Sequence, residues 1–118
     1  MQRFQNLEVW QRGHKLTLEV YRLSRGFPAD ERFGLTSQIR RSVSSVPTNI
    51  AEGSKRAKPN DYARFLNIAE SSLAETEYQR MLATDLGFAT EEETGPLLAD
   101  VTLLAKKLYS LRRRVEGS

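Results

Sequence analysis

A chain of 118 residues and 13.5 kDa has room for one domain and one core. An apolar fraction of 39% and a charged fraction of 28% exclude a disordered polymer. No apolar run approaches the roughly 20 residues needed to span a bilayer, and the lack of cysteine excludes disulfides and thiolate metal sites. Residues 1–12 hold no apolar stretch of the kind a secretory signal needs. The expectation is a cytoplasmic protein without membrane contact. The formal charge of +3 is unevenly spread. Residues 1–58 carry a net +6, residues 59–100 a net −7 and residues 101–118 a net +4. The basic ends can meet a polyanion, or the acidic middle within one chain or between subunits, or the charges can simply solvate helix faces.

Four periodic stretches predict four helices, at about 7–25, 35–53, 60–86 and 91–115. In the first, Val9, Gly13, Leu16, Val20, Leu23 and Phe27 are spaced four, three, four, three, four, with Trp10, Leu18 and Tyr21 widening the stripe. Asn6 is its expected N-cap. Gly26-Phe27-Pro28 ends it, because glycine suits a left-handed cap and proline cannot continue a helix. Asp30 is expected to cap a short turn leading into the second helix, where Leu35, Ile39, Val43, Val46 and Ile50 share a face. Pro47 lies inside that pattern. It predicts a kink near Ser44, with Ser44 and Ser45 bonding the freed carbonyls and Gly53 ending the helix.

A basic linker, Ser54 to Pro59, precedes the third helix, which Pro59 or Asn60 opens with Asp61 in its first turn. Tyr62, Leu66, Ala69, Leu73, Thr76 and Ala83 carry its stripe, flanked by Phe65, Ile68 and Leu82, and Gly87 closes it. Thr90 followed by Glu91, Glu92 and Glu93 marks the start of the fourth helix. Its stripe is Leu97, Val101, Leu104, Leu108, Leu111 and Val115, with Pro96 in the first turns. No stretch alternates with period two. Four helices with short connections predict an all-α, antiparallel, up-down-up-down bundle.

The run Glu31-Arg32-Phe33-Gly34-Leu35-Thr36-Ser37-Gln38-Ile39-Arg40-Arg41 and the block Ser44-Ser45-Val46-Pro47-Thr48-Asn49-Ile50-Ala51-Glu52-Gly53 resemble the four helix bundle protein family, also called the 23S ribosomal RNA intervening-sequence protein family. Phe4, Leu7, Val9-Trp10, Phe65-Leu66, Ala69, Ser72-Leu73 and Glu75 extend the resemblance over nearly the whole chain. It implies a bacterial four-helix bundle that assembles into a ring, a homopentamer, with no assigned enzymatic activity. A similar bundle, the accessory variability determinant of diversity-generating retroelements, is a basic pentamer that associates with nucleic acid and with its reverse transcriptase. Fold analogy alone does not carry function.

Catalytic apparatus is not expected. There is one histidine, His14, with no glutamate three residues before it as a di-iron bundle requires. Phosphate-binding glycine loops and nucleophile elbows are missing. No metal or cofactor is therefore predicted. Two basic groups stand out. Arg40, Arg41, Lys55, Arg56 and Lys58 lie on and after the second helix, and Lys106, Lys107, Arg112, Arg113 and Arg114 on the fourth. Clustered cations suit a phosphate backbone, although three consecutive arginines point in different directions around a helix. Gln38, Ser44, Pro47, Asn49, Glu52, Gly53 and Glu75 form a polar motif. Its structural reading has Asn49 satisfying groups freed by Pro47, Glu52 pairing with Arg40 or Arg41, and Gln38 and Glu75 joining a core network or facing a neighbouring subunit. Its functional reading is a ligand or RNA contact. The predicted role is a non-enzymatic homo-oligomer that binds RNA or DNA, the alternative being a protein-interaction scaffold for another enzyme.

Overall fold

The computed structural model describes residues 3–118. Four helices, α1 (Glu8–Ser24), α2 (Leu35–Ser54), α3 (Pro59–Asp85) and α4 (Glu91–Glu116), make up most of it, and no strand occurs among the described residues. Each helix packs on two others: α1 on α2 and α4, and α3 on α2 and α4. The expected stripes face inward. Leu16, Ile39, Val43, Ile50, Leu66 and Leu104 are among the side chains fully removed from water. Burial on this scale, about 1.5–3 kcal/mol for each large apolar side chain, is the main favourable term holding the helices together.

The helix ends show which local signals governed. Thr90 and Glu93 form a reciprocal capping box: the Glu93 N–H donates to Thr90 Oγ1 at 3.1 Å, and the Thr90 N–H donates to Glu93 Oε1 at 2.9 Å. Gly87, with φ 79°, closes α3. Its N–H reaches the Thr84 carbonyl and that of Phe88 reaches Ala83, so two orphan carbonyls are bonded around one left-handed residue. Pro59 begins α3, where its missing N–H removes nothing the helix would use.

Three expected caps are corrected. Asn6 does not cap α1. It lies in a 3-10 turn, Phe4–Asn6, and Leu7 holds the cap position without a side-chain bond. Gly26 is not left-handed, because α1 unwinds through i to i+3 bonds from Arg25, Gly26 and Phe27 instead. Asp30 does not cap the turn leading into α2: it lies inside that 3-10 turn, Ala29–Glu31, where Pro28 holds the cap position without a side-chain bond. Its neighbour Glu31 bonds the start of α2, its Oε1 accepting from the Leu35 N–H at 3.1 Å.

Around Pro47, α2 runs on unbroken to Ser54. Proline leaves the carbonyl four residues earlier, that of Val43, without its helical donor. The Thr17 hydroxyl of α1 fills that place, 3.2 Å from Val43 O and 2.8 Å from its own Gly13 O. The expected serine partners act elsewhere: Ser44 Oγ donates to Arg40 O, and Ser45 Oγ bonds Ser72 Oγ across to α3. Gly13 faces Pro47 across the α1–α2 contact, where an added Cβ would make ordinary van der Waals contact with Val46 and Pro47 at 3.4–3.5 Å. Gly53 does not end α2. It is buried one residue inside, and a Cβ on it would stand 2.7 Å from Phe65 Cβ.

Candidate nucleic-acid interface

The ten predicted cations divide into partnered and unpartnered groups. Arg112 is tied to α3, its Nε donating to Glu70 Oε1, and its Nη1 donates to Glu116 at 3.1 Å. The Glu70 carboxylate, with Glu116 beside it, pushes the Arg112 pKa above its usual value. Lys107 pairs with Glu8 at 3.2 Å. Arg12 on the same carboxylate, and then Lys107, hold Glu8 below the usual carboxylate range. Arg113 stands 3.9 Å from Glu116, a loose contact, and it is exposed, as are Lys106 and Arg114. Arg114, Lys106 and Lys107 line one cleft of about 320 Å³ between the start of α1 and the last turns of α4.

On the other group, Lys55, Arg56 and Lys58 are exposed on the connection between α2 and α3. None has a carboxylate within 4 Å among the described residues. The Arg56 guanidinium lies 4.6 Å from the Phe65 ring centroid, and so does that of Arg64. Arg64 was missed in the sequence because it sits in the acidic middle of the chain, six residues past Lys58. Its signal was local, an arginine beside an aromatic in the second turn of α3. Arg40 and Arg41 stand apart from this group. Arg40 Nε donates to Ser24 Oγ at 2.8 Å over the Tyr21 ring, and Arg41 Nη2 to Ser37 Oγ at 3.2 Å.

The buried polar seam between α2 and α3 is built from residues outside the predicted polar motif. Ser42 Oγ donates to Gln79 Oε1 at 2.6 Å and shares a hydrogen bond with Thr76 Oγ1 at 2.8 Å, all three residues being buried. Asn49 Nδ2 donates to the Ser45 carbonyl and hydroxyl, not to the carbonyl that Pro47 frees. Glu52 is exposed and pairs with neither Arg40 nor Arg41. Gln38 and Glu75 lie on an open groove above the seam, which Glu75 joins only as a long acceptor for Gln79 Nε2 at 3.4 Å. A seam of short, mutually satisfied hydroxyls and amides sets helix register. It presents no activated group.

Groups with chemical potential are few. His14 is exposed and stacked on Trp10 at 5.0 Å. Glu19 on α1 meets Asp100 on α4. Burial first, then the hydrogen bond and repulsion of Asp100, push its carboxyl up, against a lowering effect of Lys15. Burial raises the Tyr62 hydroxyl. Among the described residues no three His, Asp or Glu side chains converge on one point, and no helix is long and apolar enough to cross a membrane.

Comparison with curated proteins finds no match. Among solved structures, the chain is similar to a protein of unknown function from the S23 ribosomal protein family of Bacteroides thetaiotaomicron. The two share 27% identity over 88% of this chain and 97% of the other, with a TM-score of 0.82. The sequence pattern described as 23S rRNA-intervening sequence protein matches residues 5–110. The chain belongs to the 23S rRNA-intervening sequence protein family.

Proposed function

We propose that the chain is a non-enzymatic, self-assembling bundle that binds the phosphate backbone of RNA or DNA through one end. The observation that carries this reading is the crowding of Lys55, Arg56, Lys58 and Arg64 around one short connection without a carboxylate within 4 Å. Exposed cations free of acidic partners are those that can exchange counterions for phosphates. An up-down-up-down, antiparallel course brings further cations to the same end. Its support is in the pairs Gly13 with Pro47, Gly53 with Phe65, Thr84 with Thr94, Lys107 with Glu8 and Arg112 with Glu70. On that course the α2–α3 connection, the start of α1 and the last turn of α4 lie together, so Lys106, Arg113 and Arg114 join the basic end. Asp85, Glu91, Glu92 and Glu93 gather at the other.

Assembly into a ring, a pentamer as the family resemblance implies, would repeat the basic end around an axis and raise avidity without new contacts. Exposed apolar side chains on the outer faces of α3 and α4, among them Tyr78, Met81, Leu103 and Tyr109, supply surface for such contacts. They also favour the second reading, a scaffold for another protein whose charge asymmetry serves assembly alone.

Fluorescence anisotropy with structured RNA and duplex DNA across a salt series separates the two readings. Log K falling steeply with log salt, about −0.9 per phosphate neutralised on duplex DNA, is the expected result. Absence of binding at low salt would leave the scaffold.

A further inference from the structure

A second arginine-rich surface lies away from the basic end, between α1 and the start of α2. Lys55, just past the end of α2, lies fifteen positions after Arg40, about 22 Å along the helix at a rise of about 1.5 Å per residue. Here Arg32, Arg40 and Arg41 line a groove of about 430 Å³ with Tyr21, Phe33 and Ser37. Phe33 is 88% exposed, the most exposed large apolar side chain among the described residues. The Arg32 guanidinium covers its ring at 5.3 Å. An aromatic held this far into water loses the burial that normally stabilises it. Its position is set by the chain, because it sits immediately before Gly34, which leads into α2.

The three arginines differ in readiness. Arg40 is anchored from below by Ser24 Oγ at 2.8 Å and lies over Tyr21 at 4.8 Å, so its planar fork is oriented before any ligand arrives. Arg41 is steadied by Ser37. None of the three has a carboxylate within 4 Å among the described residues. The nearest acid in sequence to Arg32, Glu31, is committed to the Leu35 N–H at the start of α2. The groove therefore combines fixed guanidinium donors, suited to a phosphate, with an exposed aromatic face. That combination matches a nucleotide whose base is out of a duplex. The phosphate takes the charge-assisted bonds and the base stacks on the ring. A phosphate-bearing peptide would use the arginines but leave Phe33 without a partner of matching shape.

We propose that this groove is a stacking site for an unpaired nucleotide, with Phe33 as the platform and Arg32, Arg40 and Arg41 holding the adjoining phosphates. The inference rests on the nucleic-acid reading above and assigns it a preference for single strands at a named surface. The test compares a labelled single-stranded oligonucleotide with a duplex of equal length at low salt, using wild type, Phe33→Ala and Phe33→Trp. Because Phe33 is exposed, the variants are expected to melt with the wild type. Phe33→Ala should weaken single-strand binding by about tenfold, leave duplex binding unchanged, and be rescued by Phe33→Trp. Wild-type binding with single-strand affinity unchanged in Phe33→Ala overturns the stacking site and leaves the nucleic-acid reading standing. A wild type that binds neither probe overturns both. A Phe33→Ala protein of lower mass by light scattering places the ring in a subunit contact and overturns the proposal as well.

Discussion

α2 and α4 are held to the rest of the bundle in different ways. α2 is fitted by shape and by polar bonds: Gly53 under Phe65, Thr17 on the Val43 carbonyl, and the buried Ser42–Thr76–Gln79 seam. α4 presents a regular apolar stripe, with charged contacts at its margins to Glu8 and Glu70 and the Asp100 contact with Glu19. The first kind of contact admits one partner in one register. The second tolerates change, because stripe residues of similar volume replace one another and the more exposed pair, Lys107 with Glu8, contributes about 0–1 kcal/mol. Of the group Asn49, Glu52 and Gly53, Gly53 is packed against α3, Asn49 bonds only Ser45 of its own helix and Glu52 is exposed.

Substitutions graded across this contrast should give graded effects. Gly53→Val places a side chain where even a Cβ meets Phe65 at 2.7 Å. It should cost about 3 kcal/mol, read as a lower denaturant midpoint at unchanged slope. Thr17→Val removes the donor to the Val43 carbonyl and should cost about 1–2 kcal/mol. In a Pro47→Ala background residue 47 regains its N–H, so the same Thr17→Val change should cost clearly less. Additive losses in that double-mutant cycle would refute the assigned role of Thr17.

On the α4 side, Arg112→Gln should lower the melting temperature slightly and leave nucleic-acid affinity at the wild-type value, since Glu70 and Glu116 already occupy that guanidinium. A drop in affinity equal to that of an Arg114→Ala variant would mean the pair opens to bind. The smallest effect has the opposite sign. Glu19 has a folded-state pKa raised above the ordinary 4.5, so its contribution is fully present below that value and is lost as pH rises through the raised one. At pH 7 the Glu19–Asp100 contact opposes folding. Glu19→Gln should then stabilise by roughly 0.5 kcal/mol, the scale of a partly exposed charge pair, and give no gain at pH 3. Equal gains at both pH values would assign the effect to packing.

What could be read in advance was whatever is local and periodic. The stripes from Val9 to Val115, the Thr90 box and Pro59 at a helix start depend on neighbours within one or two turns, and the helix limits fell within one residue of expectation. Errors arose where a signal had two local outlets. Asn6 and Asp30 are capping residues by type, but 3-10 turns occupy their positions. Contacts across long separations were out of reach: Thr17 with Val43 at 26 residues, and Arg112 with Glu70 at 42. The second of these, with Lys107 on Glu8, decides which cations of the candidate site are free. The sequence weighted Arg112 and Lys107 equally with Lys55 and Lys58, and hid Arg64 within an acidic stretch. Phe33 was visible as a residue of the family block, but nothing in its periodicity tells that its ring stands in water.

The central claim, that partner-free cations around the α2–α3 connection bind phosphates, is tested most directly by one comparison of salt slopes. A Lys55→Ala, Arg56→Ala, Lys58→Ala, Arg64→Ala variant should keep the wild-type fold, since all four positions are exposed. On duplex DNA its slope of log K against log salt should be shallower by several units, at about 0.9 for each phosphate that the variant leaves unneutralised. A variant that binds with the wild-type slope would contradict the claim and return those charges to solvation and assembly.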